Sequence, residues 1–312
     1  MITVNRIKKA AALLLAFVSV LTMLGPMSLR PLDKRNLRLS VDILADTHVG
    51  PAFGGGSVLP LIPALSDMKR AQTQADVLII AGDMTENAAA GEYRRLSAAL
   101  GRFCGARHIL PAMGNHDARG VMLKDGVFLF PYEATRQQYL NFLRQTAGIE
   151  TDTVYFSRVI GGFTFIILNT EASERRGTSL SERQLRWLDG ELAGAAEKGK
   201  PVFVVNHQPP ADVGEEEQAL LGVLMKYDAK LDIFYIFGHR HTGFNADTVT
   251  RSGTVYFVEV PSFGKAPDGT YDRIGTGIHV EIYDGEIVFR ARDYLRGVWL
   301  VEFDRTVDLI GG

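Results

Sequence analysis

Five apolar runs in this chain break off at turns, and each break carries residues able to hold a metal ion. LRLSVDIL ends at Asp46 and His48 of ADTH, and VLIIA ends at Gly82-Asp83. HILPA leads to Asn115, His116 and Asp117 of GNHD. PVFVVN meets His207 of NHQPP, and IFYIF meets His239 and His241 of FGHRHTG. Short apolar runs bounded by turn residues read as buried strands. In open α/β sheets, ligands gather outside the carboxyl ends of the strands. Strand ends far apart in sequence can therefore meet in space. Of the 7 histidines, His108 and His279 alone fall outside these breaks, and both read as strand or surface residues.

The segments between the runs have helical period. LPLIPALSDMKRAQ places Leu61, Leu65 and Met68 on one face, and AAAGEYRRLSAALGRF does so with Tyr93, Leu96, Leu100 and Phe103. ATRQQYLNFLRQTAG reads as a further helix. LSERQLRWLDGELAGAA has a Leu185, Leu188, Leu192 stripe, with Ser181 and Gln184 fitting a capping box. FTFIILN reads as a strand. The C-terminal part is strand-rich, in TVYFVEV, IHVEIY, EIVFRA and VWLVEF, and Asp284-Gly285 marks a hairpin. FGGGS at 53–57 reads as a flexible loop. No linker interrupts this alternation, so residues 36–312 read as one α/β domain.

The N-terminus differs. Arg6, Lys8 and Lys9 precede an uncharged apolar stretch from Ala10 to Leu29. A basic start followed by such a run marks a secretory signal or a membrane anchor. At about 20 residues it is long enough to cross a bilayer. Without a small-x-small cleavage pattern it reads as an anchor in preference to a cleaved signal. Residues 1–35 are therefore expected to be a signal peptide or anchor with a short basic linker. The expected location is membrane-anchored or secreted, with the catalytic domain extracytoplasmic. Arg30, Lys34, Arg35 and Arg38 nearly balance the leading charges, so the orientation stays open.

Bulk composition narrows the function classes. A net charge of -2 provides no global field for nucleic acid, and none is expected as a partner. The single cysteine, Cys104, excludes an intrachain disulfide and a cysteine-based zinc site. Mixed imidazole and carboxylate donors suit manganese, iron, zinc or cobalt.

Asp46-x-His48, Gly82-Asp83, Gly114-Asn115-His116-Asp117, His207-x-Pro209 and Gly238-His239-x-His241 follow the order of the calcineurin-like metallophosphoesterases. Each motif alone is weak. Together, over Leu37 to the C-terminus, they resemble that superfamily specifically. GDMTENAAAGEYRRL and LSERQLRWLDGEL are also similar to its cyclic-nucleotide-phosphodiesterase-like branch. The resemblance implies a four-layer α-β-β-α sandwich with two divalent ions at the carboxyl ends of the strands. Asp46, His48 and His241 would hold the first ion. Asn115, His207 and His239 would hold the second, and Asp83 would bridge them. His116 would face the phosphate as the catalytic residue, oriented by Asp117. A metal-bridging hydroxide would attack phosphorus in a small-molecule phosphoester, a diester in preference to a monoester.

Other readings compete at particular positions. A phosphomonoesterase, a nuclease, a lipid-linked phosphate hydrolase or a non-catalytic metal-binding scaffold would share the fold. Arg119 and Arg240 read as surface arginines, Trp187 as a packing residue, and Glu215-Glu216-Glu217 as a solvated helix start. Many relatives carry a second histidine where this chain has Gln208, which puts phosphate contacts in question. GDMTEN and GNHD replace the GDxVDRG and GNHE of the protein Ser/Thr phosphatases, which disfavours that activity. Ala118 to Glu133 is expected to help wall the substrate pocket.

Overall fold

The computed structural model describes residues 36–51, 58–70, 74–123, 125–265 and 273–310. The expected N-terminal segment and the 53–57 loop lie outside them. Among the described residues, no helix is long and apolar enough to cross a membrane.

The apolar runs form strands as expected. β1 (Leu39–Leu44), β2 (Val77–Ala81) and β3 (His108–Ala112) lie side by side and parallel. On the far side of β1, β10 (Thr276–Ile282) and β11 (Glu286–Asp293) run antiparallel through the Asp284-Gly285 hairpin. Two short strands, β12 (Val298–Trp299) and β13 (Arg305–Asp308), both pair with β11 and complete this sheet. VWLVEF is thus a strand only at its start; Val301–Phe303 curls into a 3₁₀ turn.

The second sheet has the order β4-β5-β6-β7-β9-β8. β5 (Phe163–Ile167), β6 (Val202–Val205), β7 (Ile233–Phe237) and β9 (Val255–Glu259) are mutually parallel. β4 (Phe156–Ile160) and β8 (Val249–Ser252) close its edges antiparallel. Neither has the unbroken apolar content of the central strands, which is why the sequence pattern did not reveal them.

Alternation along the strands builds the layers. In the second sheet, Phe165, Phe203, Phe234 and Tyr256 occupy paired register positions and point toward the first sheet. Their rings stack at centroid spacings of 5.0, 5.4 and 4.8 Å, and Phe234 also meets Phe289 of β11 at 5.5 Å. The intervening Ile166, Val204 and Tyr235 face outward onto Leu185, Leu188 and Leu192 of a helix at Glu182–Lys198 and Leu220 and Leu224 of another at Glu217–Met225. Beyond the first sheet lie α1 (Leu61–Arg70) and α2 (Ala90–Phe103), whose Leu61, Leu65, Leu96 and Leu100 join its core. The result is the four-layer α-β-β-α sandwich.

The remaining helices are α3 (Asn115–Arg119), α4 (Tyr132–Phe142), α5 (Glu182–Lys198) and α6 (Glu217–Met225). α4 continues into a π turn at Leu143–Ala147. The α5 capping box is only half made. Ser181 Oγ accepts from the Gln184 backbone, but the Gln184 side chain is drawn to Asn169 and Glu171 instead. Trp187 packs against Tyr155. His279 is buried in β10, where its Nδ1 meets Asp42 Oδ1 at 2.8 Å.

Phe234 sits at the centre of the ring ladder and is fully buried. Phe234→Ala should lower unfolding free energy by about 3–5 kcal/mol in urea titration. A loss below about 1 kcal/mol would show that the ladder does not hold the two sheets together.

Candidate metal centre

The two parallel sets of strands end at the same pole. Asp46, Asp83 and Asn115 follow β1, β2 and β3 of the first sheet; His207 and His239/His241 follow β6 and β7 of the second. Backbone bonds join the two sets, Phe263 N to Ala45 O at 3.0 Å and Gly264 N to Asp46 O at 2.9 Å, and Gly238 N to His207 O at 3.0 Å ties the ends of β6 and β7 within the second sheet. His207 Nδ1 donates to Ala81 O across the sheets at 2.8 Å, which turns Nε2 toward the cluster.

The backbone is bent hard here. Asp46, His48, Asp83, His239 and His241 have φ of 54°, 44°, 45°, 74° and 51°. Only two other non-glycine residues among the described ones, Ala88 and Ala229, adopt positive φ. Each such conformation costs on the order of 1–3 kcal/mol and persists only where its surroundings enforce it. The bends swing the side chains of successive loops inward over the strand ends. Gly82 and Gly114 make room for this. A Cβ on Gly82 would lie 2.5 Å from the His207 ring, and one on Gly114 would overlap the Asp83 carboxylate.

Donor atoms of Asp46, His48, Asp83 and His241 all lie within 4.8 Å of one another. His48 Nε2 and His241 Nε2 stand 3.0 Å apart, and Asp46 Oδ1 is 3.3 Å from the latter. Asp83 Oδ2 lies between two imidazoles, 3.6 Å from His48 Nε2 and 3.3 Å from His207 Nε2. The His239 ring packs edge-on against that of His207, with centroids 5.1 Å apart. His239 and Asn115 lie outside the tight four-residue group but line the same cleft of about 690 Å³.

The donors fit a cation. Asp46 Oδ1, Asn115 Oδ1 and His207 Nε2 are buried without a hydrogen-bond partner. Buried polar atoms are nearly always paired, so three orphans of ligand type in one place call for one. Charge points the same way. Burial works against the His207 proton, but Asp83 and Asp46 outweigh it and hold the pKa up at about 9. The field that retains a proton between those carboxylates is one that attracts a divalent ion.

His116 lies at the edge of this group. Its backbone N–H donates to Asp83 Oδ1 at 2.9 Å and its Nδ1 to the Glu86 carbonyl at 2.8 Å. These bonds fix the ring and leave Nε2 as the acceptor. The expected contact from Asp117 to this ring does not form. Asp117 is fully buried and turned the other way, accepting from Met84 N, Thr85 N, Thr85 Oγ1 and Gly114 N at 2.7–3.0 Å. At the third position of α3 it is aimed at the exposed N–H groups of the helix start and of the Asp83 loop. It ties those two loops together instead of orienting the imidazole.

Arg119 departs from its surface reading. It is 8% exposed, and its Nη2 donates to His116 Nε2 at 2.8 Å, one helical turn from that residue. Glu86 was not legible as a site residue. Its Oε2 lies 3.1 Å from His48 Nδ1 and 2.9 Å from Lys265 Nζ. Burial opposes its charge, but His48 and Lys265 more than offset this and hold its pKa at about 2. It sits within GDMTEN, yet no spacing rule connects it to His48. Arg240 is exposed as expected and lies 3.4 Å from Asp212. From the 118–133 segment, Arg119 and Met122 line the cleft.

The chain is thus an α/β protein of four layers with a histidine-carboxylate cluster, able to hold a metal ion, at the shared strand ends. Residues 39–243 match the calcineurin-like phosphoesterase family, and the chain belongs to it. A 3′,5′-cyclic-nucleotide phosphodiesterase of Nostoc sp. is 28% identical over 193 residues, covering 58% of this chain and 62% of that relative, less than two thirds of its length. Two solved structures share the fold. A dimetal phosphatase from Danio rerio has a TM-score of 0.63 at 15% identity, covering 88% of this chain and 99% of that one. Purple acid phosphatase from yellow lupin seeds has a TM-score of 0.61 at 16% identity, covering 86% and 53%.

Asp117→Ala should leave three buried backbone N–H groups without their acceptor. The expected loss is about 3 kcal/mol or more of unfolding free energy. It should be accompanied by weaker manganese binding in calorimetry, because the Asp83 and Asn115 loops lose their tie. Unchanged stability and affinity would remove Asp117 from that role.

Proposed function

We propose that the protein is a dinuclear metal-dependent phosphodiesterase. The observation that carries this reading is the position of Asp83 Oδ2, within 3.6 Å of both His48 Nε2 and His207 Nε2. A single carboxylate oxygen facing two donor groups is the arrangement needed to serve two cations at once. Asp46, His48 and His241 would hold one ion; Asn115, His207 and His239 would hold the other. The imidazole-carboxylate mixture suits manganese, iron, zinc or cobalt. When bound, two such ions supply positive charge to the phosphoryl oxygens and acidify the attacking water.

The chain's own groups do the rest. Glu86 and the Ala81 carbonyl hold His48 and His207 with their Nε2 atoms turned inward. His116 is fixed at the cleft by its Nδ1 bond to the Glu86 carbonyl, and its Nε2 would exchange a proton with the leaving oxygen once substrate takes the place of the Arg119 contact. Arg119 donates to that nitrogen and brings a guanidinium to the phosphate. Preference for a diester is supported by the similarity to the Nostoc phosphodiesterase and by the departure from the protein-phosphatase motifs. The basic, apolar N-terminal stretch supports a location at or beyond a membrane.

The test is hydrolysis by the purified protein after chelation and metal re-addition, comparing bis(p-nitrophenyl) phosphate with p-nitrophenyl phosphate. Activity should vanish with chelator, return with manganese, zinc, iron or cobalt, and favour the diester. Asp83→Asn should abolish it, and His116→Ala should reduce kcat about 10²–10⁴-fold. Monoester preference would make the protein a phosphomonoesterase. Metal binding without turnover would support a scaffold that has kept the ligands but lost the reaction.

A further inference from the structure

The cleft beside the metal centre has an excess of cationic side chains. Arg119, Arg175, Arg176 and Arg240 line it, while Asp83 and Asp212 are its only carboxylates among the described residues. Asp83 belongs to the metal cluster, and Asp212 answers Arg240. Among the described residues no carboxylate lies within ion-pair distance of the remaining three arginines. Arg119 is directed to His116, the residue placed at the leaving oxygen in the proposed function. Arg175 and Arg176 are exposed on the loop that follows β5 and precedes α5.

That loop is held from beneath by the residue that departs from the family pattern. Gln208 is fully buried, so it does not reach the cleft itself. Its Nε2 donates to Arg176 O at 3.2 Å and Gly177 O at 2.9 Å, and its Oε1 accepts from Thr178 Oγ1 at 2.9 Å. Asn115 Nδ2 donates to Arg175 O at 3.1 Å. Three consecutive carbonyls, of Arg175, Arg176 and Gly177, are therefore pinned, which fixes where the two arginine side chains leave the backbone. An imidazole could donate only one N–H per ring nitrogen in a fixed plane; an amide supplies two donors and an acceptor here.

We propose that Arg175 and Arg176 form a second anion-binding position, held in place by Gln208, and that the substrate carries another phosphate or carboxylate besides the phosphoester that is cleaved. The inference rests on the phosphodiesterase reading and narrows it. A plain diester has one negative charge, which the metal centre and Arg119 already answer. Two further guanidinium groups at the rim, on a backbone held by these bonds and without a carboxylate partner among the described residues, are suited to a second anionic group through bidentate contacts. Gln208 acts as a positioning residue and does not touch substrate.

The experiment compares two esters with the same nucleoside and leaving group: thymidine 5′-(p-nitrophenyl phosphate) and its 3′-phosphorylated counterpart. The wild-type protein should favour the 3′-phosphorylated ester about tenfold or more in kcat/KM, mostly through KM, and added salt should shrink the ratio. In the Arg175→Ala/Arg176→Ala protein the ratio should fall close to one; both sites are exposed, so the fold should survive the change. Gln208→Ala should lower the ratio in the same direction. Binding of thymidine 3′,5′-bisphosphate against thymidine 5′-monophosphate, measured by calorimetry, should show the same preference and the same loss. Turnover of both esters at a ratio near one, or a ratio unmoved by the double substitution, would overturn the second anion position and leave the phosphodiesterase reading intact. If neither ester is hydrolysed, that reading fails, and the calorimetric ratio alone decides the anion position.

Discussion

The site depends on two carboxylates, Asp46 and Asp83, buried at the strand ends at 0% and 1% exposure. Unpaired charge in a protein interior is strongly unfavourable. Here it is answered by His48, His207 and His241, drawn from both sheets, and by a geometry suited to divalent ions. The carboxylates cannot be moved to solvent without reversing the strand ends that carry them. The electrostatic demand and the strand topology thus enforce each other.

That coupling explains the local strain. Five ligand-type residues hold positive φ, and the bonds around them are of the kind that compel it. His239 N–H donates to Asp46 Oδ2, His116 N–H to Asp83 Oδ1, and Asp117 gathers the turns on either side. Apart from the Gly114–Asp117 bond, which lies within the turn after β3, these bonds join residues from different strand ends. The loops of the pole are thereby tied to one another across the strand ends. The stacked ring ladder beneath keeps the two sheets at the spacing those loops require.

Much of this was legible. The central strands were clear because burial on both faces demands unbroken apolar runs. Edge strands β4, β8 and β13 were not, since half of each faces solvent and their composition matches that of loops. Asp46, His48, Asp83, His207 and His241 were legible because ligand chemistry restricts residue type and each follows a readable strand. Glu86, Arg119 and Lys265 were not. A residue that orients another by one hydrogen bond or ion pair can come from any position that folding brings near. Asp117 shows the converse: its identity was read from the motif, but its direction depends on whether nearby N–H groups or the imidazole claim its oxygens.

By itself, the sequence determined the kind of chemistry. The residue types at five strand ends permit cation binding, and the periodicity between them permits an α/β sandwich. Tertiary structure alone decided which of those residues share a point, that Asp83 faces donors on both sides, and that Gln208 lies beneath the Arg175–Arg176 loop instead of in the cleft. The physical reason is range: periodicity and donor type are local properties of the chain, whereas distance, burial and hydrogen-bond direction exist only once remote segments have packed.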